Sequence, residues 1–119
     1  MTVMVFGVFD GLHEGHKAFL NFAKEHGQLV VVVARDSVVQ KLKNKTPKNS
    51  QEKRREVIRE FLPDAIVVLG DEEQGSYEVI KTYKPDMIVL GFDQQVLAED
   101  VKTKYPNIAF IASKEFNRV

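Results

Sequence analysis

Five short stretches of the chain are apolar at nearly every position, and the segments between them place their apolar residues at helical spacing. Residues 2–6, 29–34, 65–69, 87–91 and 108–112 are the apolar runs, rich in β-branched side chains and bounded by glycine or polar residues. Runs of this kind read as strands buried on both faces, which belong to parallel sheets covered by helices. After His16, Ala18, Phe19, Phe22 and Ala23 fall on one helical stripe, and Gly27 supplies the stop. Residues 37–42 predict a short helix. A longer one follows a cap at Asn49 or Ser50, carries Glu52 in its first turn, and presents Val57, Ile58, Phe61 and Leu62 until Pro63. Ser76 opens a short helix with Tyr77, Ile80 and Tyr83 inward, and residues 94–105 predict the last helix, through Val96, Leu97 and Val101. Residues 43–50 and 70–75 are polar and broken by proline or glycine, so they read as loops. The expectation is α/β: a single domain over residues 1–119, with an open, doubly wound, five-stranded parallel sheet.

Open parallel sheets take ligands at the carboxyl ends of their strands, near the point where the strand order reverses. In this chain the residues just past strands one, two and four are Gly7 to His16, Arg35-Asp36, and Gly91-Phe-Asp-Gln94. The first is the richest: Gly7-Val8-Phe9-Asp10-Gly11-Leu12-His13-Glu14-Gly15-His16 runs from a strand through a turn into a helix. Unpaired amides at a helix start favour an anion, and two imidazoles add donors beside them. A zinc protease motif needs histidines four apart on a continuous helix with a third ligand, whereas His13 and His16 are three apart with Gly15 between them. A structural histidine pair stays open as an alternative, as does a helix-capping role for Asp10 and Asp93 and a solvated role for Lys41.

Composition narrows the partners. Hydrophobic residues at 44% and charged residues at 29% fit a globular domain and argue against disorder. The chain has no cysteine, which excludes thiol catalysis and cysteine-bound zinc. The net charge is zero, yet residues 41–59 hold eight basic and two acidic side chains. One basic segment in a neutral chain fits a small polyphosphate better than a nucleic acid. No apolar run reaches the length of a membrane helix and the start lacks the basic residues of a signal peptide, so the expectation is a cytoplasmic protein with no membrane partner.

The ten residues Gly7 to His16 resemble the H-x-G-H signature of the cytidylyltransferase-like nucleotidyltransferases in its G-x-F-D-x-x-H-x-G-H form. Ala34-Arg-Asp36, Gln40-Lys-Leu-Lys43, Glu52-Lys-Arg-Arg-Glu56 and Leu90-Gly-Phe-Asp-Gln94 extend the resemblance, most closely to the archaeal FAD synthases and more loosely to glycerol-3-phosphate cytidylyltransferase. The resemblance implies a Rossmann-like nucleotidyltransferase fold. It also implies transfer of a nucleoside monophosphate unit to a phosphorylated small molecule, with pyrophosphate released and Mg2+ or another divalent cation required. ATP and FMN are the substrates it leans to; CTP with a polyol phosphate stays open, as does a nucleotide-binding or homodimer-forming module with weak turnover. Carried over by position, His13, His16 and Lys41 would be catalytic. Gly7, Val8, Phe9, Gly15, Arg54, Gly91 and Asp93 would bind the nucleotide, and Asp10 would lie near the acceptor or metal. Two departures stand out: Val8 replaces a threonine common in the relatives, and their Ser/Thr motif before a last helix has no counterpart around Ser113.

Overall fold

The computed structural model describes residues 1–44, 46–72, 76–91 and 94–112, without the side chains of Leu42 and Lys43. Among the described residues the order is β1 (Thr2–Gly7), α1 (Glu14–Lys24), β2 (Gln28–Val33), α2 (Asp36–Lys43), α3 (Gln51–Phe61), β3 (Ile66–Leu69), α4 (Glu78–Tyr83), β4 (Met87–Leu90), α5 (Gln95–Lys104) and β5 (Ala109–Ala112). The strands form one parallel sheet in the order β3-β2-β1-β4-β5, so the order reverses between β1 and β4. β1 and β2 pair along their whole length, from Thr2↔Gln28 to Gly7↔Val33. β1 and β4 pair only at Val3↔Met87 and Met4↔Ile88, and part beyond them. A crevice therefore opens at the carboxyl end of β1, where ligands of such sheets sit.

Alternation along β1 divides the core. Val3 and Val5 join Phe19, Leu20, Ala23, Ile58 and Leu62 under α1 and α3, while Met4 joins Val79, Ile80, Ile88 and Val101 under α4 and α5. The three central strands β2, β1 and β4 bury side chains on both faces, as their continuous apolar runs require, while the edge strands β3 and β5 are only partly covered. The boundaries shift by small amounts with local causes. α1 starts at Glu14 because the His13 side chain caps it. α3 is capped by Ser50, whose hydroxyl accepts from Lys53 N–H at 3.2 Å, which leaves Asn49 for another task. Gly27 sits after α1 with φ +156, and a Cβ there would collide with the Met1 carbonyl oxygen. No described helix is long and apolar enough to cross a membrane.

Candidate active site

The turn after β1 is held in an unusual shape by Phe9. Its φ is +53, a left-handed conformation that costs a non-glycine residue about 1–3 kcal/mol. Burial offsets this: the side chain is only 2% exposed and joins the core under α1, a gain of about 2–3 kcal/mol. The ring lies over the end of the strand, so a Cβ on Gly7 would meet Phe9 carbons at 2.7 Å. Gly7 is therefore required by packing. The Phe9 ring also meets the His16 ring edge-on, at 5.5 Å between centroids.

The two histidines cap the helix with each other. His13 Nδ1 accepts from Gly15 N–H at 3.0 Å and His16 N–H at 3.3 Å, while His16 Nδ1 accepts from His13 N–H at 3.2 Å. This is the reciprocal capping box, built here from imidazoles. The rings stack at 3.7 Å between centroids. A ring whose Nδ1 accepts carries its proton on Nε2, so the caps set both tautomers. His16 is 6% exposed, and burial together with the neighbouring His13 pushes its pKa down to about 4, against a smaller opposing effect of a hydrogen bond to the Gly11 backbone. At neutral pH it is an uncharged Nε2–H donor. The expectation of free helix amides for an anion is thereby corrected for Gly15 and His16, whose N–H groups the His13 ring takes, and the exposed His13 ring offers its own N–H beside them.

Behind this turn stands Arg54. Although it belongs to the basic segment, it is 1% exposed. Its Nη1 donates to the carbonyls of Val8 at 2.9 Å and Ala34 at 2.8 Å, its Nε to Asn49 at 3.1 Å, and its Nη2 to Asp36 Oδ1 at 2.6 Å. One guanidinium thus ties the β1 turn, the end of β2 and the loop before α3 together. Asp36 also accepts from Gln51 N–H through Oδ2, and Gln51 Oε1 accepts from Asp36 N–H, so the starts of α2 and α3 are clasped. Arg54 directs these hydrogen bonds into the brace. Asp10 is likewise engaged. Oδ2 accepts from Lys48 N–H at 2.7 Å, and Oδ1 from the Asn49 backbone and side-chain amides, both at 3.0 Å. Desolvation acts to raise its pKa but is outweighed by these hydrogen bonds and the Arg54 charge, so the carboxyl stays below its usual value. Asp10 pins the basic loop to the β1 turn.

Across the crevice, buried Gly91 donates its N–H to Gln94 Oε1 at 2.9 Å, and Gln94 Nε2 donates to the Phe6 carbonyl at 2.7 Å. The structure thus gathers Gly7, Val8, Phe9, Asp10, His13, Gly15, His16 and Arg54 around one turn and links Gly91 to it through Gln94. Lys41 lies exposed on α2. Asp93 lies outside the described residues, as do residues 113–119. Sequence reasoning missed the bridging role of Gln94. Its signal was a glutamine where a helix start prefers Ser, Thr, Asp or Asn.

The sequence profile of the cytidylyltransferase-like family matches residues 4–116. The chain is 45% identical to the FAD synthase of Pyrococcus horikoshii, over 91% of this chain and 74% of that protein. It is 46% identical to the FAD synthase of Pyrococcus abyssi, over the same shares of both chains. Among solved structures, the lipopolysaccharide core biosynthesis protein of Thermoplasma volcanium superposes with a TM-score of 0.87 at 32% identity, covering 98% of each chain. The paired histidines at the carboxyl end of β1, the reversal of strand order beside them and this likeness along most of the chain agree: the chain is a nucleotidyltransferase and belongs to the cytidylyltransferase-like family.

Proposed function

We propose that the chain transfers AMP from ATP to FMN, forming FAD and pyrophosphate. The reading is carried by the identity of 45–46% to relatives named FAD synthase across 91% of the chain. In the reaction an oxygen of the FMN phosphate attacks the α-phosphorus in line, the bond from that phosphorus to the oxygen bridging to the β-phosphate breaks, and pyrophosphate leaves with the electron pair. Little covalent work falls to the protein, so its part is positioning and charge stabilisation. His13 would donate from Nε2 to the α-phosphate oxygens as their charge changes, and His16 would join it by exchanging its Gly11 hydrogen bond for one to the phosphate. Lys41, on α2 in the basic segment, would meet the outer phosphates. Gly7, Val8, Phe9 and Gly15 would give the phosphates a close backbone approach, and Gly91 with Asp93 would hold the nucleoside. Arg54 and Asp10 keep the turn and loop in place.

A divalent cation accompanies nucleoside triphosphates in chemistry of this kind. Among the described residues no three His, Asp or Glu converge to hold one, and both oxygens of Asp10 already accept hydrogen bonds. These residues do not fit a protein-held metal site; a cation carried on the substrate phosphates needs none. The test is product analysis by mass, with ATP or CTP paired with FMN or glycerol 3-phosphate. FAD from ATP and FMN alone is the expected result. Product only from CTP with glycerol 3-phosphate would replace the reading, and no product from any pair would overturn it.

A further inference from the structure

We propose that Gln94 is a positioning residue: its side-chain amide spans the crevice between β1 and β4 and sets the separation of the two strand ends between which the nucleotide binds. The proposal rests on the reading above that a nucleotide binds at this crevice. The β1–β4 ladder runs only as far as Met4↔Ile88. Two residues further on, the Phe6 carbonyl accepts from Gln94 Nε2 at 2.7 Å, and on the other side Gly91 N–H donates to Gln94 Oε1 at 2.9 Å. A side-chain amide thus joins the strands where they part, adding its own width between them. It presents one donor and one acceptor to backbone groups that each need the opposite partner.

The position is also a poor local bargain for the helix. Gln94 is the N-cap of α5 and makes no side-chain cap hydrogen bond, where a Ser, Thr, Asp or Asn would make one. Its amide serves the crevice instead. Phe6 leads directly into the Gly7–His16 turn, and Gly91 directly follows β4. Moving either end against the other changes the distance between the histidine pair and the β4 side, which a ligand bridging both would feel.

The test uses Gln94→Met, which keeps length and removes both hydrogen bonds, and Gln94→Glu, read by calorimetric binding of ATP alongside melting temperature. Gln94→Met should bind ATP about tenfold more weakly than wild type, the equivalent of one ordinary hydrogen bond. Gln94→Glu at about pH 8 places a carboxylate oxygen against the Phe6 carbonyl and should be at least as impaired. When protonated, its hydroxyl can donate to Phe6 while its carbonyl accepts from Gly91. Its defect relative to wild type at the same pH should shrink several-fold by about pH 5, while that of Gln94→Met should not. All other titratable groups, the histidine pair included, are common to the three proteins, so the comparison at each pH cancels them. ATP affinity unchanged in Gln94→Met, or a Gln94→Glu defect independent of pH, would overturn the proposal, and a lowered melting temperature with wild-type affinity would do the same. Because the readout is binding, a wild-type chain that holds ATP yet makes no FAD would sink the proposed function and leave this inference standing.

Discussion

Replacing His13 separates two roles that the structure combines in one ring. As N-cap it accepts from Gly15 and His16 N–H through Nδ1, and as a nucleotide ligand it would donate through Nε2. His13→Ala removes both. Loss of an N-cap costs about 1 kcal/mol. For a chain of 119 residues the unfolding entropy is on the order of 0.25 kcal/mol per kelvin, so the melting temperature should fall by about 4 °C. His13→Asn keeps a good capping oxygen and removes the ring. Its melting temperature should stay within about 1–2 °C of wild type. Both variants should lose two to three orders of magnitude in turnover, roughly the effect of one missing donor to a transition-state oxyanion. Thermal denaturation followed by circular dichroism, with FAD formation measured on the same preparations, reads both quantities. Turnover restored in His13→Asn would refute the catalytic role of the ring. An Ala variant as stable as wild type would refute the cap.

Three further outcomes follow from the same contacts. His16 has its pKa lowered from 6.5 to about 4, so above pH 6.5 both folded and unfolded chains hold it neutral, and between the two values only the unfolded chain binds the proton. Stability should therefore fall by roughly 2–3 kcal/mol on acidification from about pH 7.5 to 4, and urea titrations of His16→Asn should show a pH dependence smaller by that amount. Gly7→Ala should destabilise the fold by about 1–3 kcal/mol through the 2.7 Å clash with Phe9, and the cost should shrink in a double variant with Phe9→Leu; additive effects in urea titrations of the single and double variants would discount that contact. In Asp10→Ala, hydrogen exchange at the Lys48 and Asn49 amides should accelerate, and unchanged rates would show that Asp10 does not anchor the loop.

The sheet was legible because its strands are apolar at nearly every position, as burial on both faces of the central ones requires. Periods of 3.6 in α1 and α3 located the helices to within a few residues. Strand order was not legible, since it depends on which way each crossover turns, and no local pattern records that. In the site, the glycine and histidine spacing marked the place but not the geometry. Histidine is not a preferred cap, so the reciprocal imidazole caps were invisible, and with them the loss of free amides at the helix start. Arg54, one of eight basic residues in its segment and expected by resemblance to bind the nucleotide, gave no local sign of burial. Its helical position held the clue: Ile58, one turn later on the same face, is fully buried, and the stripe traced back from it lands on Arg54. Asp10 was readable as a cap, although what it caps is the 48–49 turn, distant in sequence.

The Gly7–His16 turn holds both imidazoles with Nδ1 as an acceptor and the proton on Nε2, where a phosphate can meet the exposed His13 ring directly and the buried His16 ring by replacing its hydrogen bond to the Gly11 backbone. Histidine nitrogen resonances, measured at neutral pH with and without a non-hydrolysable ATP analogue, test this arrangement most directly. His13 and His16 should both be Nε2–H tautomers without ligand, and the analogue should shift both Nε2 signals while leaving Nδ1 of each as an acceptor. A proton on Nδ1 of either ring, or Nε2 signals indifferent to the analogue, would contradict it.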